Sequence, residues 1–155
     1  MGFLKAVLIA GPTGIGKSEL ASLLENEINS VVINADAMQV YTSLRIITAR
    51  PPDNPNYYLY GHVEDNASYS VGNWLEDVAY IIEELSNTSP DKVLIFVGGT
   101  GLYFNILLNG ISDIPDVAPE IKIQSCELFR QHGIKYFLNV LEKFDQITFS
   151  SIDKN

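Results

Sequence analysis

At 155 residues and 46% apolar content, the chain is long enough for one domain with a real core, and no long stretch is low-complexity or charge-blocked. A net charge of −9 with thinly scattered basic residues argues against nucleic-acid binding by this chain as it stands. The single cysteine, Cys126, excludes an internal disulfide and leans toward a reducing cytosol, and no segment is long enough to span a membrane. "MGFLKAVLIAG" runs into the next motif without a small-residue cleavage site, so a signal peptide is not expected. These features set the expectation of a cytoplasmic protein; a monomer is expected as the default, since the sequence is silent on oligomeric state.

In chain order, "AVLIAG" (Ala6 to Gly11) reads as a buried parallel strand. Leu20, Ala21, Leu23, Leu24 and Ile28 then fall at helical spacing. Between the two lies "GPTGIGKS", which matches G-x-x-x-x-G-K-[ST], a phosphate cradle, in the strand-to-helix setting its mechanism needs. "VVIN" (Val31 to Asn34) is a second strand, ending near Asp36, and the proline-rich "RPPDNPN" is loop. Ser70 is placed to cap a helix whose stripe runs through Val71, Trp74, Leu75, Val78, Ile81, Ile82 and Leu85. "KVLIFVGGTG" is a third buried strand, followed by a helix from about Leu102 to Leu108 that stops at Asn109-Gly110. Alternating strands and helices predict an α/β fold, a P-loop NTPase-like parallel sheet flanked by helices, over residues 1–115. Residues 116–155 read as helices with a break at Gly133, the start of a helical element, and "FSSIDKN" carries no terminating structure.

The expected chemistry sits at the carboxyl edge of the sheet, where Gly11 to Ser18, Asp36 and Thr100 converge. Backbone N–H groups of the loop, with Gly11, Pro12, Thr13, Gly14, Ile15 and Gly16 shaping it, would point at phosphate oxygens. Lys17 adds a charge, and Ser18 offers a hydroxyl to Mg²⁺. NTP hydrolases usually hold Mg²⁺ through an acid ending a hydrophobic strand. Here the strand at Val93 to Val97 ends in Gly98-Gly99-Thr100, which favours transfer chemistry over hydrolysis. Asp36 either caps a turn or faces the phosphate as a general base. Thr100 either caps the next helix or donates to an oxygen gaining charge. His62 and Asp65 in "HVED" are expected to form a local pair, and Trp74 to lie in the core.

Together, "GPTGIGKS", "NADAMQVY", "TARP", "HVED", "YSVGNWLEDV" and "VGGTGLYFNILLNGISDIP" resemble the tRNA dimethylallyltransferase family, from Leu8 to about Pro115. The resemblance implies that the cradle, Gly11 to Ser18, holds the diphosphate of dimethylallyl diphosphate with Mg²⁺. The acceptor is then the exocyclic amine of the adenosine 3′ of the anticodon in tRNA. Asp36 matches the base that takes the amine proton, and Asp36, Ala37, Met38 and Gln39 match the stretch that touches the adenosine. Thr100 matches the residue that assists the bridging oxygen, and Lys122 falls where the family places an RNA-contacting basic residue.

The chain departs from the family pattern at Ala37, where Ser is usual, and at Ser43, Arg45 and Ile47, which replace Gly, Asp and Gly. Arg50 stands for Lys and keeps the charge but not the geometry. The sequence covers about half of a typical member, and two alternatives to the family enzyme stay open. One is a truncated remnant that binds diphosphate without turnover. The other is a small-molecule P-loop kinase that binds ATP, for which Arg45 and Arg50 are the lid candidates.

Overall fold

The computed structural model describes residues 5–112 and 117–153. The expected boundary at 115/116 and the end of the last family motif, Ile114-Pro115, lie outside the described residues. The chain divides into two compact units, Met1–Ile111 and Ser112–Asn155.

The first unit is a four-stranded parallel sheet. Its strands are β1 (Lys5–Ala10), β2 (Ser30–Asn34), β3 (Tyr57–Tyr58) and β4 (Val93–Gly98), in the order β1-β4-β2-β3. Helix α1 (Lys17–Glu27) follows β1, α2 (Val71–Thr88) precedes β4, and α3 (Gly101–Asn109) follows it. The α/β parallel sheet with flanking helices therefore stands as read from the sequence.

Strands β2 and β4 form the middle of the sheet and are apolar on both faces, as a covered parallel sheet requires. Alternation sends Val31, Ile33, Leu94 and Phe96 into one cluster with Trp74, Val78, Ile81 and Leu85 of α2 and Tyr103 and Phe104 of α3. Val32, Ile95 and Val97 cluster with Ala21 of α1. Trp74 is fully buried; it stacks on Tyr103 at 4.4 Å between ring centroids and meets Phe96 edge-on at 6.4 Å. Ser70 starts α2 with a capping box: its hydroxyl accepts from Asn73 N, and Asn73 Oδ1 accepts from Ser70 N.

One expectation about burial fails. The apolar run of β1 was expected to be buried, yet its first three residues are exposed, Val7 at 37%. Position explains this, because among the described residues β1 is the outermost strand and pairs only with β4. Helix α1 likewise buries Ala21 while Leu20 and Leu23 stay exposed, and Ile28 lies past its end.

The second unit holds α4 (Pro119–Phe144) and α5 (Gln146–Ser151). Helix α4 breaks at Gly133, where φ is 67° and ψ is −172°, a conformation open to glycine. Helix α5, which the sequence reading did not place, is capped by Asp145 accepting from Thr148 N at 2.9 Å. Neither helix has a buried residue. Among the described residues no helix is long and apolar enough to cross a membrane.

Candidate functional site: a phosphate loop facing Asp36

The loop from Gly11 to Gly16 leaves β1 at its carboxyl end and turns into α1. Gly14 and Gly16 have φ of 82° and 91°, left-handed values that suit only glycine readily, and a Cβ at either would meet nothing within 4 Å. Space is therefore open beside both glycines. Lys17 folds back over the loop, and its Nζ donates to Pro12 O at 2.7 Å. The start of α1 has no side-chain cap, so its first N–H groups have no capping side chain, and Glu19 lies in the first turn.

Asp36 reaches the opening from the end of β2. Its Oδ1 accepts from Met38 N at 2.9 Å, so the turn that follows is closed by the Asp36 side chain. Gly98, at the end of β4, lets the two strand ends approach closely: a Cβ there would overlap the Ala35 carbonyl and come within 2.7 Å of Asp36 N. Ala35 N donates to Val97 O at 2.8 Å, and Thr100 N to Ala35 O at 3.3 Å. Thr100 Oγ1 accepts from Ala37 N at 2.9 Å, which ties the glycine turn after β4 to the segment after β2. Thr100 makes no side-chain cap bond to α3.

These pieces enclose a cleft of about 310 Å³ lined by Thr13, Gly14, Gly16, Lys17, Ser18 and Glu19 on one side. Asp36, Gln39, Thr48, Ala49, Val97 and Gly98 complete the lining. Of the predicted site residues, the cleft gathers Thr13, Gly14, Gly16, Lys17, Ser18, Asp36 and Gln39. Gly11, Pro12 and Ile15 belong to the loop but do not line the cleft, and Ile15 is 66% exposed. Ala37 and Thr100 stand behind Asp36, joined to each other, and Met38 points out, 54% exposed. Lys122 is exposed on α4, in the second unit.

The sequence reading missed Glu19, Thr48 and Ala49. Thr48 is positioned by the Gln39 amide, whose Nε2 donates to Thr48 O at 2.9 Å. Ala49 sits at φ 50°, an uncommon conformation for a residue with a Cβ. The "TARP" segment was the available signal for both.

The pair expected between His62 and Asp65 does not form. His62 Nε2 lies 3.3 Å from Asp77 Oδ2 and 3.2 Å from the Tyr69 hydroxyl, and Tyr69 itself donates to Asp77 at 2.6 Å. Asp65 instead accepts from Ser43 N at 3.2 Å. Neighbours in sequence point apart here because α2 supplies a closer carboxylate. Burial, with the Asp77 bond, pushes the Tyr69 hydroxyl well above the usual tyrosine range. Burial first, then Tyr57 and the Asp36 carboxylate, do the same to Tyr60.

Arg45 and Arg50 do not line the cleft. Arg45 pairs with Asp53 at 3.4 Å on the surface. The Arg50 guanidinium donates to Tyr41 O at 3.1 Å and lies against Gly61, whose missing side chain makes room for it. Among the described residues no group of three or more His, Cys, Asp or Glu side chains is arranged to hold a metal.

Comparison with known proteins agrees with this architecture. A tRNA dimethylallyltransferase of Bartonella tribocorum is 46% identical over 149 residues, which cover 94% of this chain and 50% of the relative. That of Allorhizobium ampelinum is 45% identical over 132 residues, covering 83% of this chain and 43% of the relative. Among solved structures, a eukaryotic dimethylallyltransferase acting on tRNA superposes with a TM-score of 0.77 at 27% identity, over 97% of this chain and 38% of that one. The full-length tRNA isopentenylpyrophosphate transferase of Bacillus halodurans gives 0.65 at 26% identity, over 97% and 51%. The chain thus spans about half the length of the curated relatives it matches. The model of the IPP transferase family matches residues 39–155, most of the sequence, and the chain belongs to that family.

Proposed function

We propose that this chain carries the donor-binding and base-bearing half of a tRNA dimethylallyltransferase. The observation that carries the reading is the single cleft in which the phosphate loop faces Asp36 while β4 ends in glycine. The acid that NTP hydrolases place at that strand end is replaced by one across the cleft, where it suits proton removal from an incoming nucleophile.

In this reading loop N–H groups and Lys17 hold the diphosphate of dimethylallyl diphosphate. The exocyclic amine of adenosine forms an N–C bond to the allylic carbon as the C–O bond to diphosphate breaks. The electron pair leaves with the diphosphate, and the amine proton passes to Asp36. Holding both reactants in line replaces an encounter in solution. The Ser18 hydroxyl, with Glu19 beside it in the cleft lining, is a hard oxygen donor that would hold Mg²⁺. Mg²⁺, when bound, would offset charge on the departing diphosphate. Thr100, whose Oγ1 accepts from Ala37 N and so retains its O–H as a donor, is in this reading the residue that assists the leaving oxygen. Gln39 meets the adenosine at the cleft, and Ala37, Met38 and Lys122 are the further tRNA contacts.

A P-loop kinase needs arginines over the phosphates, and Arg45 and Arg50 are engaged elsewhere. A diphosphate-binding remnant without turnover is favoured by the lack of a hydroxyl at Ala37. Transfer of labelled dimethylallyl to tRNA by this chain, supplied with the second half of a relative, decides between them. The proposal expects label on the adenosine amine and a loss of about 10²- to 10⁴-fold in Asp36→Asn. Micromolar binding of dimethylallyl diphosphate with no transfer would leave the remnant reading, and equal rates for Asp36→Asn would overturn the role of Asp36.

A further inference from the structure

We infer that Asn34 is a positioning residue for Asp36, an inference that rests on the prenyl-transfer reading of the cleft. Asn34 is the last residue of β2 and is fully buried; the only other buried polar side chain among the described residues is Ser30. An amide in that place is a liability unless its polar atoms are paired. Here they are paired with the backbone of the proposed base. Asn34 Oδ1 accepts from Asp36 N at 2.9 Å, and Asn34 Nδ2 donates to Asp36 O at 3.0 Å. One side chain thus holds both the N–H and the C=O of Asp36 and restricts the φ and ψ that aim the carboxylate.

The same amide reaches a second segment. Nδ2 also donates to Leu59 O at 3.0 Å, and Leu59 sits at φ 62°, a left-handed value unfavourable for leucine. The carbonyl of Asn34 is held in turn by α2, since Trp74 Nε1 donates to Asn34 O at 2.8 Å from a fully buried ring. Asp36 is therefore fixed from below by Asn34, from the side by the Gly98 approach, and from ahead by its own bond to Met38 N. No other residue type offers an acceptor and two donors in so short a side chain.

Removing the amide leaves Asp36 N, Asp36 O and Leu59 O without these partners, and the loop carrying the carboxylate gains freedom. A displacement of about 1 Å at a reacting group lowers rates by about 10²-fold. Diphosphate binding at the cradle, which Asn34 does not touch, should change little.

The test compares Asn34→Ala and Asn34→Ser with Leu85→Ala, a core truncation in α2 away from the cleft. Serine keeps an acceptor for Asp36 N but cannot bridge both carbonyls, so it should fall between alanine and asparagine. In the 155-residue chain, exchange of the Asp36 amide measured by NMR should rise at least about tenfold more in the Asn34 variants than in Leu85→Ala. In the chain supplied with the second half of a relative, kcat should fall about 10²-fold in Asn34→Ala, with KM for dimethylallyl diphosphate within about threefold. Asp36 exchange or kcat no different from Leu85→Ala would overturn the inference, as would a parallel loss of donor affinity. No transfer by the unaltered pair would instead sink the prenyl-transfer reading, and amide exchange would still decide whether Asn34 holds Asp36.

Discussion

Substituting Gly98 by alanine probes the approach of β4 to Asp36 more sharply than any change of a polar group. The added methyl would fall inside the Ala35 carbonyl and 2.7 Å from Asp36 N, where carbon atoms do not approach within 3.0 Å. Both sides of this contact are backbone, so no side chain can swing away, and the ends of β2 and β4 must part. Overpacking of this kind costs about 1–3 kcal/mol, and the absence of a flexible neighbour places Gly98→Ala at the upper end, about 3 kcal/mol. For a domain of this size that lowers the melting temperature by about 10 °C or more. Gly99→Ala is the control. Its methyl would lie 3.6 Å from Asp36 Oδ2 and from Gly11 O, ordinary contact distances. Stability there should be unchanged or raised by about 0.4–1 kcal/mol, through the unfolded chain. Thermal melts followed by circular dichroism measure both. A Gly98→Ala chain melting within 2 °C of the unaltered one, on the order of 0.5 kcal/mol, would refute the close approach and the placement of Asp36 that follows from it.

Three further outcomes follow from other contacts. Ser70→Ala removes the hydroxyl that accepts from Asn73 N and should destabilise by about 1 kcal/mol, read from the urea midpoint at constant m-value. Trp74→Phe leaves Asn34 O without its indole donor inside the core and should cost about 1–3 kcal/mol, measured in the same way. Tyr60 has its hydroxyl raised from 10.0 by burial, so its contribution is fully present below pH 10 and is lost as pH climbs toward the folded value. Stability should therefore fall above pH 10, and Tyr60→Phe should flatten that fall. A urea midpoint equally steep between pH 9 and 11 in both chains, on the order of 1.4 kcal/mol per pH unit for each proton, would contradict the burial of that hydroxyl.

The features legible in the sequence are those fixed by local rules. The glycine spacing of the cradle, the Ser70 cap and the stripe from Trp74 to Leu85 depend on near neighbours, and they stand where the residues implied. What the sequence hid depends on pairing across the fold. The apolar run of β1 looks like a central strand, but strand order leaves it at the edge. His62 has a carboxylate three residues on, yet Asp77 of α2 is nearer in space. Asn34 gave a faint signal, a lone amide ending an otherwise apolar strand two residues before Asp36, and its role emerges only when Leu59 and Trp74 are seen around it. Thr48 and Ala49 enter the cleft through loop geometry that no periodicity encodes, and Glu19 enters it from the first turn of α1.

Titration of the 155-residue chain with dimethylallyl diphosphate, with and without Mg²⁺ and alongside ATP, tests most directly what the cradle holds. The account predicts micromolar, Mg²⁺-strengthened binding of the allylic diphosphate, weaker binding of ATP, and loss of both in Lys17→Ala. A folded chain that prefers ATP, or that binds the allylic diphosphate equally well without Lys17, would contradict it.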